Sequence, residues 1–390
     1  MAEPIFPKSE FDGRYERARK LMVEAGFQAI IGYSPGNQFW LSGFRGSAGT
    51  GRIAEYTQQV VLPKVVLPLT GEPALTGLTA MAEAYAKETH LGDIRPVMSP
   101  ADRPRTIRQI LESRGIRAGA VGLDIGSASG IGPGELDILR RELSGFDLRD
   151  ASKLFWRLRM IKTPAEIACM RRAVEIQNAA FKSFCGRISR KMTESDLIFE
   201  MLSCQREAGA SEIGMVLSTT HPTGAIFGAQ ISGRSMQPGD LQWFDAGATY
   251  NGYTCDFDIL IAWGDATADQ IGTHAQLRDV YQEAMEAWRP GRPAAEIARD
   301  TSAVLEKHGA RDLLQGSFLG HCLGAEVVER PWFGTRSPKD LRLEPGMIIS
   351  PEWVTATALG NLLWERNFLV TADGLEELSS FPDELTVITK

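Results

Sequence analysis

The chain lacks any apolar run of the roughly 20 residues that a helix needs to cross a bilayer, so no membrane association is expected. It has little cysteine. Five residues, Cys169, Cys185, Cys204, Cys255 and Cys322, show neither CxxC nor scaffold spacing, which excludes a disulfide framework and reads as reduced thiols in a cytoplasm. No basic block or stripe exists. The 42 Lys and Arg are mixed with 49 Asp and Glu for a net charge of −7, and no nucleic-acid partner is expected. The first residues, MAEPIFPKSEFDGRYERARK, carry charges where a signal peptide needs an apolar core. Short-period repeats and low-complexity segments are also missing.

What is present is the composition of an ordinary globular protein, 43% hydrophobic and 23% charged. At 390 residues the chain exceeds what one core usually supports, so two domains are expected. In the first third, FDGRYERARKLMVEAG predicts an amphipathic helix ended by Gly26, and QAIIGYS a buried strand. SPADRPRTIRQILESRG predicts a further helix and AVGLDIG a further strand. Such alternation points to an α/β layer. A boundary is placed near residues 155–163, giving domains 1–157 and 158–390. Beyond it, Thr163, Pro164 and Glu166 form a capping-box start to a long helix, and Thr193 with Asp196 repeats that logic. From about Leu217 the pattern turns to strands, one helix and strands again.

The chemistry concentrates in LQWFDAGATYNGYTCDFDILIAWG, which predicts a β-hairpin. Asp245 lies on its first strand; Asp256 and Asp258 lie two apart on its second, hence on one face. Acids there are either solvent-facing on an edge hairpin or buried and coordinating something, because an unpaired buried carboxylate is expensive. Three more segments add to the set. FLGHCLGAE sets His321 among glycines, MIISPEWV puts Glu352 behind a turn, and LLWERNFLVTADG puts Glu365 in an apolar strand. The order Asp, Asp, His, Glu, Glu in such contexts points to a carboxylate-rich metal site.

This order, with ten residues between Asp245 and Asp256, resembles the pita-bread metallohydrolases of peptidase family M24, in the branch of Xaa-Pro aminopeptidase, prolidase and creatinase. DAGATYNGYTCDF, GHCLGAE, LEPGMIISPE and ERNFLVTADGLEELS resemble that family's motifs, and LRMIKTPAEIACMRRA resembles the start of its catalytic domain. RARKLMVEAGFQAII and NQFWLSGF resemble, more loosely, the branch's extra N-terminal domain. The resemblance implies an α/β creatinase-like N-terminal domain and an α+β pita-bread C-terminal domain. It implies that Asp245 chelates one metal, that Asp256 and Glu365 bridge two, and that His321 and Glu352 bind the other. A site this rich in oxygen suits Mn²⁺ or Fe²⁺, with Zn²⁺ or Co²⁺ possible. Paired metals lower the pKa of a shared water, and Glu352 is the expected general base. A homodimer is implied by resemblance alone.

The chain also departs from the family. The peptidase branch places a histidine about seventeen residues before the first Asp, here near Gly228, where none stands; His221 in the same loop is either a substitute or an exposed loop histidine, the more usual case. It places another seven residues after the metal-binding histidine, here Val328, followed by Glu329 and Pro331. Valine donates no hydrogen bond to an oxyanion. Where the family often has Thr and Arg, this chain has Asp258 and Ile259; Asp258 is either a solvated or ion-paired acid or has a functional role, as a partner behind a ligand, an alternative base or an extra ligand. Trp40, Phe44 and Arg45 are either local packing or reach a site; Trp332 and Phe333 are either core or a pocket wall. Trp353 and Trp364 are expected in the core, and Cys255 and Cys322 are not expected to ligate metal.

Three functions are therefore weighed. The first is a metallohydrolase cleaving an amide or Xaa-Pro-like C–N bond in a small amino-acid-derived molecule or short peptide. The second is a lyase resembling dimethylsulfoniopropionate lyase, with Asp258 or Glu329 as base. The third is a non-catalytic binding protein, against which five intact ligands argue.

Overall fold

Glycines and prolines cut the first part of the chain into short alternating elements, and the computed structural model shows how they pair. It describes residues 4–45, 62–125, 131, 133–221 and 233–390. The chain divides into two units, Met1–Arg159 and Met160–Lys390.

In the first unit, α1 (Lys8–Ala25) ends at Gly26, whose φ of 73° is the left-handed conformation that glycine adopts without a Cβ penalty. Strands follow as β1 (Phe27–Gly32), β2 (Lys64–Pro68), β3 (Ala74–Leu78), β4 (Asp93–Val97), β5 (Gly119–Leu123) and β6 (Phe146–Asp150). Between them lie α2 (Pro35–Ser42), α3 (Ala82–Glu88), α4 (Arg103–Ser113) and α5 (Pro133–Glu142), and α6 (Ser152–Met160) closes the unit. The described strands form a six-stranded sheet in the order β4-β3-β2-β1-β5-β6. Pairs β1–β5, β5–β6 and β3–β4 are parallel, while β2 is antiparallel to both neighbours. This is an α/β layer, and Ile107, Ile110 and Leu111 of α4 pack in its core with Val66 and Val121.

The second unit opens with α7 (Pro164–Arg187). Its capping box is made: the Thr163 Oγ1 accepts from the Glu166 N–H at 3.2 Å, and the Glu166 carboxylate from the Thr163 N–H at 2.9 Å. Helix α8 (Glu194–Glu207) starts on the same device with Thr193 and Asp196. Then come β7 (Glu212–His221), β8 (Leu241–Tyr250), β9 (Tyr253–Thr254) and β10 (Phe257–Trp263). After them, α9 (Ala268–Met285) and α10 (Ala294–Lys307) precede β11 (Arg311–Asp312), β12 (Gly320–Cys322) and β13 (Glu329–Phe333). The last strands are β14 (Ile348–Thr357), β15 (Gly360–Glu365), β16 (Phe368–Val370), β17 (Leu375–Glu377) and β18 (Thr386–Ile388).

Among the described residues two sheets form. One runs β18-β10-β8-β7, with β9 on β8; the other runs β13-β12-β14-β16-β17, with β11 and β15 on β14. Helices α7 and α8 pack on the first through Phe181, Phe184, Leu197 and Met201. Helices α9 and α10 pack on the second through Tyr281, Ile297 and Leu305, with Trp288 of the turn between them. This is the pita-bread arrangement. No helix among the described residues is long and apolar enough to cross a membrane.

Candidate metal centre

Strands β8 and β10 form the expected hairpin, antiparallel with Asp245 directly opposite Asp258. Asp245 sits in a strand buried over nearly its whole length. Asp256 does not lie within the second strand, as its spacing suggested. It occupies the break between β9 and β10. The reason lies in its backbone, which pairs with a side chain: its N–H donates to Asn367 Oδ1 at 2.9 Å, and its carbonyl accepts from Asn367 Nδ2.

The second sheet supplies the remaining residues. His321 lies on the short strand β12, and Gly320 before it has a φ of 133° and sits so close to Ser350 and Pro351 that a Cβ would collide with their backbone. Glu352 and Glu365 are direct partners across β14 and β15 and so share a face. Asp256, His321 and Glu365 offer ligand atoms all within 4.8 Å of one another. His321 Nε2 is 3.4 Å from Glu352 Oε1 and 3.7 Å from both Asp256 Oδ2 and Glu365 Oε1. Asp245 joins by lying close enough to Asp256 for the two carboxyls to shift each other's ionisation. The four acids and the histidine named from the sequence thus meet in one place, and all are buried.

The electrostatics ask for a cation. Burial pushes the Asp245 carboxyl up to about 6, and it raises Asp256 and Glu365 well above the carboxylate range, with mutual repulsion adding to it. Asp245 Oδ1, Asp256 Oδ1, Glu365 Oε2 and His321 Nε2 are buried without any hydrogen-bond partner. Buried polar atoms are otherwise almost always paired. The His321 Nδ1 is 2.9 Å from the Cys322 carbonyl, so its N–H donates there and Nε2 keeps a lone pair facing the carboxylates. Three oxygens and one nitrogen left open in this way fit a hard divalent ion.

Similarity to known proteins gives the family. Residues 168–372 match the model of metallopeptidase family M24, and residues 14–161 match the creatinase/prolidase N-terminal domain. The chain belongs to metallopeptidase family M24. By family it is a metallohydrolase, and the family implies divalent metal. Ectoine hydrolase of Halomonas elongata is 26% identical over 413 residues, spanning 98% of each chain. The Xaa-Pro dipeptidase of Pyrococcus furiosus is 27% identical over 231 residues, 58% of this chain and 65% of that one. The solved structure of X-Pro aminopeptidase from Thermotoga maritima superposes with a TM-score of 0.80 at 19% identity, covering 96% of this chain and 99% of that one, which shows the shared fold.

Within this M24 chain, residues absent from the sequence reading hold Asp256 and Glu365 in place. The Ser350 hydroxyl is 2.6 Å from Glu365 Oε1 and 3.1 Å from the Asp256 carbonyl, and Asn367 Nδ2 donates to Ser350 Oγ at 2.9 Å. Both are polar residues inside apolar strand runs, MIISPEW and ERNFLV, a signal of the kind that had marked the acids. Asp258, like Asp245 and Glu352, lies outside the trio whose candidate ligand atoms are all within 4.8 Å of one another, and unlike them it is taken up by other partners. Its Oδ1 accepts from the Glu365 N–H at 2.8 Å and from Arg366 Nη1 at 3.2 Å. Glu329 is likewise buried, 3.2 Å from the Lys162 ammonium.

His221 ends β7, opposite Leu241, but its side chain and the segment around Gly228 lie outside the described residues. Val328 is 44% exposed. Trp332 and Phe333 part company: Phe333 packs on Trp288 in the core, whereas Trp332 is 41% exposed and meets Phe318 edge-on at 5.6 Å. Phe318 in turn stacks on His321 at 6.1 Å, so Trp332 stands beside the metal centre. Trp353 and Trp364 face each other on the opposite side of β14 and β15 and are core, with Tyr281 stacked on Trp353 at 4.8 Å. The thiols of Cys255 and Cys322 are buried, which pushes both up, Cys322 to about 12. In the first unit Trp40 and Phe44 are buried in local packing, Phe44 edge-on to Tyr85 at 4.9 Å.

Proposed function

We propose that the chain hydrolyses a C–N bond, an amide or Xaa-Pro-like peptide bond, in a small amino-acid-derived substrate or short peptide. The observation that carries this reading is the set of four buried atoms without partners, on Asp245, Asp256, His321 and Glu365. Asp245 would hold one divalent ion, Asp256 and Glu365 would bridge two, and His321 and Glu352 would hold the second. Manganese or iron suits so many carboxylates, with zinc or cobalt the alternatives. When bound, such a pair supplies an acidified water and polarises a carbonyl oxygen. Glu352, less enclosed than Glu365, is placed to accept that water's proton as general base. His221 is a candidate for contact with substrate.

Two observations favour hydrolysis over elimination. A lyase needs a carboxylate free to take a carbon-bound proton, and its candidates Asp258 and Glu329 are both held in buried ion pairs, with Arg366 and Lys162. The missing donor at Val328 supports a substrate other than a standard proline peptide, and the similarity to ectoine hydrolase along both chains supports a small cyclic or amino-acid-derived one. Five cysteines, all free, support a reducing cytoplasm, and the resemblance to the prolidase and creatinase branch supports a homodimer.

Elemental analysis of the purified protein, followed by Xaa-Pro dipeptides and small cyclic-amide substrates with the metal present, tests the reading. Protein without stoichiometric metal, or turnover unchanged by Asp245→Ala, sinks it. Products carrying a new double bond in place of added water would establish the lyase instead.

A further inference from the structure

The metal centre draws its ligands from two different sheets. Asp245 and Asp256 come from the sheet of β8 and β10; His321, Glu352 and Glu365 come from the sheet of β12, β14 and β15. Ligand atoms placed by separate sheets hold a common geometry only if the sheets are fixed to each other close by. One fastening, through Asn367 and Ser350, ties the Asp256 backbone to the Glu365 carboxylate.

A second fastening lies on the other side of Glu365. Arg366 Nη1 is 2.7 Å from the Glu365 carbonyl, 3.0 Å from the Asp258 carbonyl and 3.2 Å from Asp258 Oδ1. Asp258 Oδ1 also takes the Glu365 N–H at 2.8 Å. One guanidinium nitrogen and one carboxylate oxygen therefore grip both backbone groups of the ligand residue and anchor them to β10, two positions from Asp256. Both side chains are buried, at 6% and 4% exposure, so solvent does not screen the pair. A buried ion pair adds little net stability over apolar residues of the same volume. What this pair supplies is geometry.

We propose that Asp258 and Arg366 are positioning residues of the metal centre, a cross-sheet clamp that sets where Glu365 stands relative to Asp256 and hence the affinity for divalent metal. This rests on the metal-site reading above. It takes Asp258 out of the candidate bases and makes Arg366, the neighbour of a ligand, part of the site.

The test uses the full chain and Mn²⁺ alone, with binding followed by calorimetry and by the electron paramagnetic resonance of the bound ion. The double variant Asp258→Asn/Arg366→Met removes both charges together and leaves no unpaired buried ion. Asp258→Asn alone is the milder form, keeping an oxygen for the Glu365 N–H. Leu305→Ala, a cavity in the core packing of α10, serves as a control of lowered stability. The expected result is a dissociation constant raised about tenfold or more in both clamp variants, as for other groups that orient ligands, with an altered resonance spectrum and no such change in Leu305→Ala. Wild-type affinity and spectrum in the clamp variants overturn the proposal, and so does an equal loss in Leu305→Ala. If the wild-type chain itself binds no Mn²⁺, the metal-site reading fails instead.

Discussion

Glu352 and Glu365 face each other directly across one antiparallel ladder, two buried carboxylates on one side of a sheet, with His321 Nε2 3.4 Å from the first and 3.7 Å from the second. Like charges opposite one another destabilise a ladder. A cation among them, or protonation, relieves that repulsion.

Metal removal is therefore expected to cost stability as well as activity. A ligand at 100 times its dissociation constant stabilises by about 2.7 kcal/mol, which for a domain of this size corresponds to roughly 5–10 °C in Tm. Calorimetry of the chain with chelator and after Mn²⁺ is restored measures it. An unchanged Tm across that pair of conditions counts against the site.

The same carboxylates set a pH dependence. Asp245 is raised from the usual range near 4 to about 6 in the metal-free fold, and Asp256 and Glu365 are raised further. A carboxyl whose folded pKa is raised favours the folded state while it is protonated and withdraws that favour as pH climbs from the unfolded value through the folded one. The metal-free chain is expected to lose stability from about pH 4 to above pH 6. Metal binding strengthens over the same window, because protons no longer compete. The gap in Tm between metal-loaded and metal-free protein thus widens from pH 5 to pH 7; a gap that narrows contradicts the assignment.

Asn367→Ala removes the partner of both Asp256 backbone groups and a donor to Ser350. A buried group left unpaired costs about 1–3 kcal/mol, and loss of a group that orients a ligand weakens metal binding about tenfold or more. Denaturant unfolding and Mn²⁺ titration are expected to move together, and a change in stability alone would make Asn367 only a structural residue.

Glu352→Gln keeps the shape of the side chain and one ligating oxygen but removes the base. At saturating metal, kcat is expected to fall by about 10²-fold or more, with KM changed less. Full activity at saturating Mn²⁺ would remove Glu352 from the role of base.

Val328→His restores an imidazole at an exposed position, so the fold should tolerate it. An added donor to a developing oxyanion is worth up to a few kcal/mol. The variant is expected to gain at least tenfold in kcat/KM on an Xaa-Pro dipeptide while its Tm stays within a degree or so. No gain would place the substrate's reacting carbonyl away from residue 328.

Much of the molecule was legible in the order of its residues because the signals are local. Gly26 after an amphipathic run, Thr163 three residues before Glu166, and acids inside apolar strands are each read from a handful of neighbours, and each stands where the local physics puts it. The metal-site residues could be named, in order and by resemblance, without knowing how they meet. Asp256 and Asp258 could not be told apart by spacing, since two residues apart in one apolar run reads as one face of a strand, whereas only Asp258 lies within β10. What separates them is distant in sequence. Asn367 captures the Asp256 backbone across 111 residues, and Arg366 captures Asp258 across 108. Residue types and periods of the chain by themselves determined most of the helices, the strand-rich character of the second unit and the list of acids with their histidine, but not the second helix there, α10 (Ala294–Lys307). Only the packing of one sheet against the other decided which acid faces the open centre and which is bound to an arginine behind it, because that choice is made by hydrogen bonds between strands that meet only once the domain has folded.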